Sequence, residues 1–358
     1  MTLPRRRFAT RRLLIAAMAA LAVLAAADTL LWFLATNRLE HELAAWQARR
    51  RAAGWTAAAG PPARSGWPLA AAIELPDLVL AGGRNALPGG LSWRAAHATL
   101  SVALLRPWRL NLRFAGQQVL RLASLPEFAF AADRFDLAIP LDAPWLKPGL
   151  AGRAADLSAD GLRAALPSGE LGIGALALHA DTRPGAAPGE AALSVSGKAE
   201  AIDLPPLPGG RLWPPGPRIG SAWFDAALTG PLQGSGGLTA RATAWRDAGG
   251  TLLVRHLGFG WGALGLSGSA AMGLDQHLQP SGAATTSLVG YDASLDALAS
   301  SSALAARAVV AVKGVLAILA RPPQDGGAPQ VDLPVTLQDR TLTVGPFPLL
   351  RLPEWMWP

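Results

Sequence analysis

The chain has 358 residues, enough for one large domain or two modest ones beyond a terminal anchor. Its formal charge of +7 sits mostly at one end: residues 1–12 hold five of the 32 basic residues and no acid, which leaves 27 basic against 25 acidic and excludes a domain-wide basic footprint for nucleic acid. Cysteine is absent, which excludes disulfides, thiolate metal sites and a cysteine nucleophile.

Arg5, Arg6, Arg7, Arg11 and Arg12 precede an apolar run at 13–35, LLIAAMAALAVLAAADTLLWFLA. A run of this length with arginines on one flank is the pattern of a transmembrane helix, because hydrocarbon rejects unpaired backbone groups. The arginines keep 1–12 in the cytoplasm as a basic segment, so everything after residue 35 lies across the membrane. The run holds one charge, Asp28, roughly 24 Å along the helix from Arg12 and so near the far interface. The small residues at 25–27 also fit a signal-peptidase pattern. Apolarity resumes at once in Leu30, Leu31, Trp32, Phe33 and Leu34, and Trp32 suits an interfacial aromatic belt. A retained anchor is the expectation, and a cleaved signal the alternative.

Residues 36–54 read as a stalk helix. Leu39, Leu43, Trp46 and Arg50 fall on one helical stripe, Asn37 can cap it and Gly54 can end it. From Trp55 to residue 358 the pattern is β-rich. Ile73 with Leu75, and Leu78 with Leu80, read as two segments broken by Pro76. Leu100, Val102 and Leu104 alternate, as do Leu110, Leu112 and Phe114, with Arg106-Pro107-Trp108 expected as the turn between them. Strands follow at 119–122, 128–130, 135–139, 171–178 and around Leu193 and Val195. The stretch 203–217, DLPPLPGGRLWPPGP, is too rich in proline for a strand and is a possible internal boundary. Strands are expected again at 223–228, 238–245, 251–261, 264–274 and 282–289. Leu295, Leu298, Ser302, Ala305, Val309, Val312, Leu316 and Leu319 then follow a 3.6 period, one late helix covering a face or edge of the sheet. Strands at 331–337 and 342–344 complete the series.

No catalytic, cofactor-binding or metal residues emerge. Gly260-Trp261-Gly262-Ala263-Leu264-Gly265 satisfies G-x-G-x-x-G, but a strand pattern follows it. A phosphate would have no helix N-terminus to sit on, so a bend is the expectation. The five histidines are dispersed without metal-ligand spacing, and no G-x-S-x-G elbow exists. The chain reads as a non-enzyme without a cofactor. Thirteen tryptophans stand against one tyrosine. Most suit a core; the sharper reading is an apolar groove lined by Trp67, Trp93, Trp108 and Trp261. Trp355 and Trp357 either pin the last strand or dip into the membrane interface.

Further landmarks are Trp46, Gly54-Trp55, Gly60-Pro61, Ser65-Gly66-Trp67-Pro68, Leu75-Pro76, Trp93 and Arg106-Pro107-Trp108. Later come Trp245, Gly249-Gly250-Thr251-Leu252, Trp261-Gly262, Leu274-Asp275, Gln279-Pro280-Ser281-Gly282, Leu333-Pro334, Gly345-Pro346, Pro348-Leu349 and Leu352-Pro353. Together they resemble a proteobacterial family catalogued as domain of unknown function 2125. In that pattern Gly commonly follows the acid at Asp339, where this chain has Arg340. The resemblance implies an exported, membrane-tethered domain and supplies no activity. More distantly, 264–289 is similar to strands of the AsmA-type envelope proteins, which are thought to carry lipid along apolar β grooves.

The expected fold is mainly β: an N-terminal transmembrane helix, then a curved antiparallel β domain with one late α-helix. The expected location is the bacterial inner membrane, single-pass, with the N-terminus cytoplasmic and the β domain periplasmic. The function expected is lipid or hydrophobic-ligand handling in the envelope. The alternative is a structural or protein-interaction module. Expected partners are the lipid bilayer and an envelope protein, not nucleic acid.

Overall fold

A computed structural model describes residues 5–83, 90–122, 125–141, 154–183, 185–207, 210, 213, 215–232, 237–292 and 330–357. It opens with one unbroken helix, α1 (Arg5–Ala52). From Leu14 this helix is long and apolar enough to cross a membrane, with a mean hydropathy of 2.2 over a window that buries nothing against the protein.

The surroundings of α1 change at Trp32, whose indole N–H donates to the Ser65 carbonyl at 3.1 Å. Ala35, Thr36 and Leu39 are buried. The last turn expected of the span is thus held by the β domain, and Trp32, expected in the aromatic belt, is anchored to protein. The free apolar stretch is 14–31, about 27 Å at 1.5 Å per residue, close to the ~30 Å of a hydrocarbon core. Arg64 secures the joint. Its guanidinium donates to both Glu40 carboxylate oxygens at 2.8 and 2.7 Å and to Asn37 Oδ1 at 2.6 Å.

Beyond α1, the described residues form one sheet of seventeen strands and a short helix. Its first members are β1 (Thr56–Ala58), β2 (Ala63–Ser65), β3 (Ala70–Gly82), β4 (Leu91–Ala103), β5 (Arg106–Leu122), β6 (Phe128–Ala131) and β7 (Arg134–Pro140). Then come β8 (Ala154–Leu166), β9 (Gly169–Thr182), β10 (Ala191–Asp203), β11 (Arg218–Thr229), β12 (Leu252–Trp261) and β13 (Leu264–Leu274). The last are β14 (Pro280–Val289), β15 (Gln330–Gln338), β16 (Thr341–Val344) and β17 (Phe347–Arg351). The order is a meander in which successive strands pair antiparallel from β3 to β5 and from β7 to β17. β1 and β2 pair collinearly along β3, and β6 and β7 lie collinearly between β5 and β8. Among the described residues no ladder joins β17 back to β1 or β2.

Several sequence expectations are corrected here. Pro76 does not split its strand: β3 runs through it, with Pro76 opposite His97. The carbonyl of Pro76 accepts from the Gly60 N–H at 2.8 Å, in the gap between β1 and β2. A residue's N–H and C=O point to the same side of a strand, so the missing donor falls where no ladder needs it. The turn expected at Arg106-Pro107-Trp108 lies at Leu104 and Leu105 instead, and those three residues open β5. The two strands expected at 110–114 and 119–122 are one, with Gly116 at φ +76 beside a register shift that keeps both halves paired to β4. The strand expected at 238–245 is helix α2 (Leu238–Asp247). Its alternating alanines mimic a strand period, but alanine is also the strongest helix former. Gly249 at φ +72 ends the helix, and the Trp245 indole donates to Thr229 O at 2.7 Å. The helix expected around Leu295 to Leu319 lies outside the described residues.

Other expectations hold. The G-x-G-x-x-G stretch forms the β12–β13 hairpin, with Trp261 paired to Leu264 across Gly262 at φ +58. The described residues of the proline-rich stretch after Asp203 lie outside the strands, between β10 and β11. Trp357 donates to Leu278 O at 2.8 Å, so the C-terminal tryptophan is pinned to the turn before β14.

The β15–β16 turn places both Asp339 and Arg340 at positive φ, +49 and +64. A two-residue turn of this hand needs that conformation twice, which glycine adopts freely and Arg does not. Arg340→Gly is expected to stabilise the protein by about 1 kcal/mol, since the Arg340–Glu354 pair it removes is exposed. Thermal melts should show a Tm higher by roughly 2–4 °C.

Candidate functional site

Direct cross-strand partners share a face of a sheet, so the register can be read as rows. One row runs Ile73, Leu100, Leu112, Leu137, Leu157, Leu178, Gly197, Phe224 and Leu257, each the partner of the next. The row on the other face runs Ser101, Asn111, Ala138, Asp156, His179, Ser196, Asp225 and His256. One face is therefore apolar across nine strands while the other is largely polar. Gly197 belongs to the apolar row because a Cβ there would lie 2.5 Å from Phe224 and 2.6 Å from Leu178.

Helix α1 covers the start of the apolar face. Ala35 and Leu39 join Ile73, Leu75, Ala98, Val102, Phe114 and Phe135 in a buried cluster. Above it the fit is incomplete. A cavity of about 510 Å³ lies between the stalk and the sheet. The helix lines it with Leu39, Glu42, Leu43, Trp46, Arg49 and Arg50, the stripe expected from the sequence plus its neighbours. The sheet contributes Leu75, Leu78 and Leu80 of β3, Trp93 and Leu100 of β4, Leu110, Leu112 and Phe114 of β5, and Leu137 and Ile139 of β7, with Leu141 beyond it. The Trp93 ring meets Phe114 edge-on at 4.7 Å, and its indole donates to Gln118 Oε1 at 3.1 Å, so the wall is rigid there.

Of the four tryptophans expected to line a groove, only Trp93 does. Trp67 and Trp108 are each 55 % exposed, in or beside the turns at the end of the sheet where α1 arrives. Trp261 lies in the second half of the sheet, donating to Gly216 O at 2.8 Å and stacked obliquely on Trp213 at 5.6 Å. There it fastens the proline-rich connection. The helix residues Leu39, Leu43 and Trp46 were visible as a stripe. Their partners Leu110, Leu112, Leu137 and Ile139 were visible as alternating strands.

The polar face carries the ionic groups. Asp156 accepts from His179 Nδ1 at 2.7 Å and from Arg109 at 2.8 Å, and Ser196 is the direct partner of His179. Acid, imidazole and hydroxyl thus lie in relay order. They stand on an exposed sheet face whose backbone N–H groups are engaged in the ladders. The hydrogen bond from His179, and then Arg109, holds the Asp156 carboxyl below the usual range, against partial burial. Among the described residues no group of three or more His, Asp or Glu could hold a metal ion.

Asp136 is less exposed than Asp156 or Asp225 on this face. Burial pushes its carboxyl up, but hydrogen bonds from Arg113 at 2.9 Å and Arg134 at 2.6 Å outweigh that and hold it low. A carboxyl depressed in the folded state adds stability above its unfolded pKa of about 3.9 and loses it as pH falls through the folded value. Asp136→Asn is therefore expected to lower Tm at neutral pH and to flatten its decline below about pH 4. Melts across that range for both proteins check this.

These features define a mainly β protein led by one long apolar helix, with an apolar cavity where helix and sheet meet. The chain belongs to the family described as "Uncharacterized protein conserved in bacteria (DUF2125)", whose model matches residues 32–353. That match begins at Trp32, the residue tied to the sheet through Ser65. No curated protein and no solved structure matches the chain.

Proposed function

We propose that this is a membrane-anchored protein of the bacterial envelope that holds a hydrophobic, lipid-class ligand between its stalk and its sheet. The carrying observation is the cavity of about 510 Å³ walled by leucines, Trp93, Phe114 and Ile139. Apolar surface left uncovered by protein carries a free-energy cost that a hydrophobic ligand relieves by burying it. The size lies within the ~300–1,000 Å³ range of small-molecule sites. The apolar row extends the same chemistry past the cavity, to Phe224 at 39 % exposure.

On this reading Arg5, Arg6, Arg7, Arg11 and Arg12 hold the N-terminus in the cytoplasm, and the β domain stands in the periplasm. The turns beside Trp32 support it. Trp67, Leu69, Leu105 and Trp108 are all more than half exposed at the end of the sheet where the helix enters. Arg106 lies among them. Aromatic and basic side chains on such turns suit a bilayer surface, which gives Trp67 and Trp108 a role outside the cavity.

The test is mild extraction of the full-length protein followed by mass spectrometry of what it carries. The expected result is a bound lipid-class molecule near one per chain. Protein that is folded and empty would remove the proposal.

A second reading, a protein-interaction module, is favoured by one observation. Among the described residues strand β17 is a sheet edge carrying exposed Phe347, Leu349 and Leu350, and such an edge can accept a partner strand. A photocrosslinker at Leu349 that yields one discrete protein adduct in cells would support it.

A further inference from the structure

We infer that the ligand is an anionic amphiphile, its headgroup held by Arg49 and Arg50 and its hydrocarbon directed toward the bilayer end of the cavity. This rests on the cavity being a ligand site.

The charges at the cavity are uneven. Glu42 pairs with Arg38, and Glu40 is engaged by Arg64. Arg51 is committed to Ala57 O and Gln47 Oε1. Arg49 and Arg50 both line the cavity, yet among the described residues neither has a carboxylate partner. Basic residues in a last helical turn complement the helix dipole, which is reason enough for one arginine there. It does not explain two guanidinium groups beside an apolar void.

Arg50 is also held in place. Its guanidinium carbon lies 5.7 Å from the Trp46 ring and 5.9 Å from the Trp55 ring. Trp55 in turn packs where only glycine fits: a Cβ at Gly82 would come 2.6 Å from its ring. A guanidinium flanked by two indoles loses little freedom on binding an anion, and its fork suits a carboxylate or phosphate.

Apart from Glu42, which is paired with Arg38, the polar groups of the lining lie at one end. Leu80, Trp93 and the arginines lie toward the far end of the stalk. Leu110, Ile139 and Leu141 lie toward the end where α1 leaves for the membrane. From Leu39 to Arg49 the helix rises about 15 Å. A lipid in the leaflet facing the β domain has the same polarity, with its head away from the midplane. It can rise along α1 into this site without turning over.

The test uses full-length protein in detergent and three dibrominated probes that quench tryptophan: stearate, stearyl alcohol and phosphatidylglycerol. Trp46 and Trp93 report from the cavity wall. Stearate or phosphatidylglycerol should bind at least about ten-fold tighter than the alcohol, the scale of a charge-assisted hydrogen bond. Arg49→Gln with Arg50→Gln should erase that preference by weakening the anions far more than the alcohol, and Arg49→Lys with Arg50→Lys should restore part of it. Binding of stearate alone points to a free fatty acid; binding of phosphatidylglycerol points to a bilayer lipid. Either supports the inference. Equal binding of acid and alcohol, or equal weakening of both in the double variant, overturns it while the apolar site stands. Binding of no probe overturns the site itself.

Discussion

Leu112→Trp is expected to strip the protein of co-purifying lipid while leaving the fold intact. Leu112 lines the cavity in the middle of β5, with Leu100 and Leu137 as its cross-strand neighbours. Its side chain belongs to the apolar face, so the larger indole enters the void. Adding bulk to a filled core costs about 1–3 kcal/mol. Filling an existing cavity commonly stabilises by about 0.5–2 kcal/mol. The sign of the stability change therefore reports whether the space is open. Bound lipid should fall at least ten-fold by mass spectrometry, with Tm unchanged or raised. A large drop in Tm would mean that the site was already packed.

Leu39→Ala is expected to produce the largest loss of stability of any single truncation on α1. Leu39 is 2 % exposed, at the centre of the contact between helix and sheet. Truncating a buried leucine costs about 2–5 kcal/mol, a large part of the ~5–15 kcal/mol that holds a typical domain together. Leu30→Ala on the same helix should cost little in detergent, because Leu30 is 60 % exposed. Denaturant titration of both variants, with proteolysis around residues 52–56 as a second probe, separates them. Equal stability of the two would show that the stalk is not docked.

The contrast between those two leucines marks what was legible in the sequence. The apolar run and the stripe at Leu39, Leu43 and Trp46 were plain, because a 3.6 period needs only local spacing. The residue at which the free helix gives way to the docked stalk was not plain. Trp32 suits a headgroup belt and a carbonyl partner equally well, and only Ser65, 33 positions on, decides between them.

Strands that alternate cleanly were found with their bounds, as at Leu264–Leu274. The misreadings came where two periods coincide or where a tertiary gap excuses a local fault. Alanines at 240, 242 and 244 alternate like a strand yet lie in α2. Pro76 reads as a break, but the interval between β1 and β2 leaves its missing donor unneeded. The cavity itself depends on register between α1 and strands up to a hundred residues away. For that reason Trp93 could not be told from Trp67 or Trp108: the same residue type lines the site once and faces outward twice.

The most direct test of the account compares adjacent residues of one strand. A photoreactive amino acid at Leu112 faces the cavity, while one at Asn111 belongs to the opposite, polar row. Irradiation of living cells should give lipid adducts from position 112 and none from position 111. Adducts at both positions alike, or at neither, would contradict a ligand held between the stalk and the apolar face of the sheet.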